Sequence, residues 1–193
     1  MNKIAVFASG SGTNAGAIME YFVGNPHIQV ALVLSNRPDA YVLQRAAERS
    51  VPAEVFSRDT LYNSPGEILS TLRRYDIDFI VLAGFMLLVP REIVENYPER
   101  IVNIHPALLP KYGGRGMYGD HVHRAVIDAG EPESGITIHY VNDRYDDGDI
   151  IFRHSLPVLP EDMPESLAGR IHMLEHRWYP EIIERTILKK EMP

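Results

Sequence analysis

The chain has no cysteine, which removes a disulfide framework, a thiolate nucleophile and any cysteine metal site at once. It also has no stretch approaching the roughly 20 apolar residues of a membrane span. Met1-Asn2-Lys3 runs directly into a strand-like segment without a signal-peptide core. Positive charge is scarce as well: 19 Lys and Arg face 26 Asp and Glu, a net charge of -7, and the cations are scattered. A phosphate backbone is held mainly by clustered Lys and Arg, so nucleic acid is not expected as a partner, and neither is a membrane. No internal repeat, low-complexity segment or linker interrupts the chain. What remains is an ordinary globular composition, 45% hydrophobic and 23% charged, over 193 residues. One domain spanning 1–193 in a cytoplasmic setting is the expectation.

Short apolar runs alternate with helical periodicity. Ile4-Ala5-Val6-Phe7, Ile28 to Leu34, Ala53 to Phe56, Phe79 to Ala83 and the run ending at His105 read as strands. Between them, helices are expected after Asn14, over Tyr41 to Ser50, from the Asn63-Ser64-Pro65-Gly66 turn to about Tyr75, and over Pro90 to Tyr97, with proline in its first turn. This order predicts an α/β fold with a parallel sheet covered on both faces. After Gly113 the pattern changes. A helix over His121 to Ala129 precedes two strand-like runs, Gly135 to Val141 and Ile150 to Leu156, separated by too few residues for a crossover helix and therefore antiparallel. A last helix from Pro164 to about Leu188 carries Leu167, Ile171, Leu174 and Trp178 as the stripe expected to dock on the sheet.

Asn103 and His105 lie two apart at the end of a buried strand, so their side chains leave one face. An amide with two N–H donors beside an imidazole suits an oxygen that becomes negative during acyl transfer. Pro106 stops the strand just beyond, at a carboxyl end, where open α/β sheets place their ligands. A turn-capping asparagine and a structural histidine read the same residues without chemistry.

Three other clusters carry possible chemistry. Ser9-Gly10-Ser11-Gly12-Thr13-Asn14 joins the first strand to the first helix, and its free amides suit a phosphate. It has neither the Gly-Lys-Ser/Thr ending of a P-loop nor a full dinucleotide fingerprint, and a tight turn with a Thr or Asn cap reads it too. Asn142-Asp143-Arg144-Tyr145-Asp146-Asp147-Gly148-Asp149 lacks the ligand spacing of a calcium loop. As a bare hairpin it would be solvated, but folded over the sheet it could offer His105 a carboxylate. His121 and His123 with His105 make a poor metal set, because two histidines at i and i+2 do not share a helix face. No metal is expected.

Taken together, Ser9-Gly10-x-Gly12-Thr13-Asn14, Leu82-Ala83-Gly84-Phe85-Met86, Asn103-Ile104-His105-Pro106-Ala107-Leu108-Leu109-Pro110 and the Asp146-x-Gly148 turn resemble the folate-dependent phosphoribosylglycinamide formyltransferases, in that family's order. The resemblance implies a single-domain formyltransferase fold with a mostly parallel twisted sheet, a Rossmann-like N-terminal half and one antiparallel strand in the C-terminal half. It implies transfer of a formyl group from 10-formyltetrahydrofolate, as co-substrate, to the amine of glycinamide ribonucleotide in purine synthesis. Asn103, His105 and Asp146 become the catalytic trio, with His105 protonated beside Asp146 and no covalent enzyme intermediate. Gly12, Thr13 and Asn14 hold the ribonucleotide's phosphate and Glu175 its ribose side. Met86, Leu87, Leu88 and Val89 form the folate wall, with Asn103 and Arg58 also contacting folate. Two departures stand out: Asp147 and Asp149 flank Gly148, which makes Asp147 the alternative carboxylate, and Gly113–Gly119 is longer than in the shortest members. Alternatives are a formyltetrahydrofolate hydrolase, a methionyl-tRNA formyltransferase-like enzyme, or a nucleotide-binding module without catalysis. A monomer or weak homodimer is expected.

Overall fold

The computed structural model describes residues 1–190 and Met192. Its N-terminal half runs β1 (Asn2–Phe7), α1 (Thr13–Tyr21), β2 (Ile28–Ser35), α2 (Tyr41–Glu48), β3 (Ala53–Val55), α3 (Arg58–Asn63), α4 (Pro65–Arg74) and β4 (Phe79–Leu82). There follow α5 (Arg91–Asn96), β5 (Ile101–His105), α6 (Asp120–Asp128), β6 (Glu133–Tyr140), β7 (Ile150–Pro157) and α7 (Pro164–Leu188). The strands make one seven-stranded sheet in the order β3-β2-β1-β4-β5-β6-β7. β1 to β5 pair in parallel, whereas β6 is antiparallel to both β5 and β7, so a single strand runs against the rest, as expected.

Both faces of the central strands are buried, which is why their sequences are continuous apolar runs rather than alternations. Ile4 and Val6 pack with Ile18, Val42, Val122 and Ile171, the face covered by α1, α2, α6 and α7. Ala5 and Phe7 pack with Leu61, Leu69 and Ile93, the face covered by α3, α4 and α5. One helix has no counterpart in the sequence reading. α3 is six residues long with only Leu61 buried, too short to show a period, and Ser57 caps it by accepting the Thr60 N–H at 2.9 Å.

The stripe on α7 differs from the expected one. Leu167, Ile171, Glu175, Tyr179 and Ile183 make the buried row, while Leu174 and Trp178 are only partly buried on its flank. Trp178 stacks there against Phe152 and His154 of β7. Polar Glu175 and Tyr179 interrupt the apolar pattern and so obscure the true face. The Tyr179 hydroxyl lies 2.8 Å from the Leu82 carbonyl oxygen and 3.2 Å from that of Val102, sharing its proton between β4 and β5.

The chain leaves β1 toward β2 and β3 and returns on the other side as β4, so the strand order reverses between β1 and β4. Ligands of open α/β sheets sit in the crevice outside the carboxyl ends at such a point. The loops after β1, β4 and β5 meet there.

Candidate active site

β5 and β6 build the floor. Asn103 is paired across the strands with His139, and His105 with Thr137, so the register alone sets Asn103, His105 and His139 side by side on one face. The His105 Nε2 stands 2.7 Å from the Tyr112 carbonyl oxygen. A carbonyl only accepts, so Nε2 carries a proton, and the other ring nitrogen, Nδ1, faces Asp146 Oδ2, 3.5 Å away. His139 is fixed the same way: its Nδ1 donates to the Tyr140 carbonyl at 2.8 Å, and its Nε2 accepts from Asn103 Nδ2 at 3.1 Å. The second Asn103 N–H reaches Asp146 Oδ1 only at 3.5 Å. That long bond leaves it the donor able to turn to a substrate oxygen, whereas the first is already engaged.

Asp146 and Asp147 separate cleanly. Asp147 faces solvent, paired with Arg144 at 2.7 Å and accepting from Asn142 Nδ2 at 3.1 Å. Asp146 turns inward in a left-handed conformation, φ 52°, which aspartate tolerates better than most residues. It accepts the Gly114 N–H at 2.9 Å and lies 3.7 Å from His139 Nε2. The turn closes because Gly148 has no side chain: a Cβ there would overlap the Tyr140 carbonyl. Of the two carboxylates considered, only Asp146 reaches His105.

Burial would raise the Asp146 pKa, but the neighbouring His139 and His105 rings and the Gly114 N–H together bring it below the usual carboxylate range. For His105 the balance falls the other way. Burial pushes the imidazole below its ordinary pKa, and the opposing pull of Asp146 and the Tyr112 carbonyl does not offset it. Burial thus favours the neutral ring, while the Asp146 carboxylate beside it favours the imidazolium expected from the sequence.

The loop after β1 is fastened to the loop after β4. Ser9 donates from Oγ to Asn36 Oδ1 at 2.6 Å, accepts the Met86 N–H at 3.0 Å, and gives its own N–H to the Gly84 carbonyl at 3.0 Å. Gly12 caps α1 in the left-handed region, φ 67°, with no side-chain cap, so the first-turn amides at Thr13 and Asn14 face outward without a partner from within the helix. A Cβ on Gly12 would lie 2.5 Å from Val42 Cβ, so this glycine is required by packing as well as by conformation. Asn14 donates to Glu175 Oε2 at 2.9 Å. Glu175 is buried in the α7 row, and burial raises its pKa while Asn14 pulls it back.

These parts line one cavity of about 480 Å³, reaching from Gly10–Asn14 past Asn103, His105 and Asp146 to Arg58. Met86 and Leu87 lie on its wall. Leu88 and Val89 line an adjoining cleft of about 50 Å³ instead, where Val89 is packed into the core. Residues 114–119 form the roof. His123 is buried beneath it, its pKa pushed down to about 4 by burial and by His172, whereas His121 is exposed and packs edge-on to Tyr118 at 5.5 Å. Nothing local in the sequence marks His139. Its signal is non-local, the cross-strand position opposite Asn103.

An anion loop at the switch point, beside an amide, an imidazole and a carboxylate, is the frame of a group-transfer site. The chain belongs to the formyl transferase family, whose model matches residues 2–183. Within it, a chloroplastic phosphoribosylglycinamide formyltransferase of Arabidopsis thaliana is 42% identical over 94% of this chain, which spans only 64% of that relative's length. The phosphoribosylglycinamide formyltransferase of Haemophilus influenzae is 37% identical, with 95% of this chain and 86% of the relative covered. The crystal structure of phosphoribosylglycinamide formyltransferase from Anaplasma phagocytophilum superimposes with a TM-score of 0.88 at 34% identity, over 97% of this chain and 88% of that one.

Proposed function

We propose that residues 1–193 act as one formyltransferase domain that moves the formyl group of 10-formyltetrahydrofolate to the amine of glycinamide ribonucleotide. The observation that carries this reading is the convergence of Asn103, His105 and Asp146 in one cavity with the anion loop Gly12–Asn14. The relatives' names supply the acceptor and the formyl transfer, and the resemblance of the sequence motifs supplies the formyl-folate donor. Met86, Leu87 and Arg58 line the folate end, with Leu88 and Val89 behind them, and Gly12, Thr13, Asn14 and Glu175 take the ribonucleotide.

Holding the amine and the formyl carbon together removes much of the entropic barrier. The amine attacks, neutral His105 accepts its proton, and the carbonyl oxygen becomes an oxyanion held by the free Asn103 N–H. The imidazolium formed is stabilised by Asp146 and by the Tyr112 carbonyl, the two groups that already flank the ring. Collapse breaks the bond from the formyl carbon to the folate nitrogen, and His105 returns the proton there. No covalent enzyme intermediate is needed. The setting is cytoplasmic, the partners are small molecules, and the molecule works as a monomer or weak homodimer.

The test is a folate absorbance assay with and without glycinamide ribonucleotide. Turnover that needs both substrates is expected. Formate release without the amine would identify a hydrolase, and no turnover with either substrate would leave a binding module.

A further inference from the structure

Both proposed substrates end in anions: a phosphate on one, the glutamyl carboxylates on the other. The loop Gly10–Asn14 contains no Lys or Arg, so its amides meet a phosphate dianion without a full counter-charge of their own. Two arginines line the cavity, Arg58 and Arg115. Arg58 belongs to the folate end: its guanidinium stands 5.7 Å over the Tyr62 ring, and Tyr62 in turn lies against Leu88 and Tyr145. Arg45 touches the anion loop but is occupied. Its Nε donates to the Ser11 carbonyl at 2.8 Å, its guanidinium stacks over Tyr41 at 5.0 Å, and it does not line the cavity.

Arg115 has no such engagement. It is exposed on the roof and has no hydrogen bond, ion pair or ring contact among the described residues. Gly114 and Gly116 on either side have φ +100° and +87° with open space where a Cβ would stand, so the backbone flanking Arg115 is unpacked and can carry the side chain inward. At the end of the cavity nearest α1, α6 and α7, two buried polar atoms also lack partners, Asn14 Oδ1 and His123 Nδ1. That corner presents polar groups that the protein itself leaves unmatched.

We propose that Arg115 is the counter-charge of the ribonucleotide's phosphate, reaching from the glycine roof toward the amides of Gly12–Asn14. A guanidinium fork matches two phosphate oxygens at once, so Arg115 sets the preference for the phosphorylated substrate over its dephosphorylated nucleoside. The inference rests on the proposed function.

The experiment measures kcat/KM of the wild type, Arg115→Ala and Arg115→Lys on glycinamide ribonucleotide and on the dephosphorylated nucleoside. In parallel, calorimetry measures binding of ribose 5-phosphate to all three. Arg115→Ala is expected to lower the ribonucleotide-to-nucleoside ratio about 10–100-fold, the range of a charge-assisted hydrogen bond, mainly through KM. Ribose 5-phosphate binding should weaken comparably, and Arg115→Lys should recover part of both. An unchanged ratio overturns the assignment, as does a loss that falls on the KM of folate, which would place Arg115 with Arg58. If the wild type formylates neither amine, the proposed function fails instead, and the ribose 5-phosphate arm still decides for or against Arg115.

Discussion

Below the cavity, Asn103, His105 and His139 are fixed by strand register, by two backbone carbonyls and by one another, and Asp146 is pressed onto them by a turn with no room at Gly148. Above it, residues 114–119 cross the opening with three glycines at positive φ and open space beside each. The Gly114 N–H, held by Asp146, ties the two together. The floor is over-determined and the roof under-determined, and each suits its task. Proton transfer needs distances held to a few tenths of an ångström, whereas a roof over a substrate the size of a nucleotide must let it in. The two are built from unlike sequence for that reason: alternating strand residues below, glycines above.

The largest way to break the floor without unfolding it is Asp146→Asn. A drop in kcat of about 10²–10⁴, the scale of general acid–base catalysis, is expected with smaller changes in KM. The pH profile carries the sign. In the proposed mechanism His105 starts neutral, so the wild-type acid limb is expected below the ordinary histidine value of 6.5. Removing the carboxylate removes a negative charge that favours the protonated ring, so the limb should move to still lower pH. A limb that moves upward would mean that Asp146 does not act through His105.

Two glycine substitutions sharpen the contrast. Gly148→Ala pushes a methyl group into the Tyr140 backbone and should destabilise by about 3 kcal/mol, the upper end of ordinary overpacking. Gly116→Ala meets open space and should cost only about 1 kcal/mol of left-handed strain. Chemical denaturation of both variants checks the order. Equal losses would show that the roof is packed as tightly as the floor.

Smallest of all should be Asp147→Asn. It carries the same charge as Asp146 one residue away, yet its partners are the exposed Arg144 and Asn142, and surface pairs of this kind contribute about 0–1 kcal/mol. A change in kcat of about twofold or less is expected. A larger one in steady-state kinetics would reverse the assignment of the two carboxylates.

What the sequence makes legible is mostly what is local. The runs at Ile4–Phe7 and Phe79–Leu82, the stop at Pro106 and the short β6–β7 connection specify the sheet almost completely, because apolar length and turn residues act over a few positions. α3 escapes because six residues hold too little period and, unlike the equally short α5, no proline marks its start. Asn103 and His105 are readable as a same-face pair, but His139 joins them only through antiparallel register, and nothing near residue 139 in the chain announces it. The inward turn of Asp146 rather than Asp147 depends on a single left-handed residue, and the downward shift of the His105 pKa depends on burial, a property of the packed molecule. The buried row of α7 is hidden for a related reason. Its two polar members, Glu175 and Tyr179, face the sheet and the site, so an apolar count assigns the stripe to Leu174 and Trp178 beside them.

Ser9 has one further consequence, which is thermodynamic. Its hydroxyl joins the Met86 amide, on the wall proposed for folate, to the loop proposed for phosphate. A ligand that orders one of these loops thereby spares the other part of its ordering entropy, so occupancy of the two ends is linked. Linkage is reciprocal: by whatever factor bound folate tightens the ribonucleotide, bound ribonucleotide tightens folate by the same factor. Equilibrium titration of each ligand in the presence of the other measures that factor twice, and Ser9→Ala should bring both values toward one.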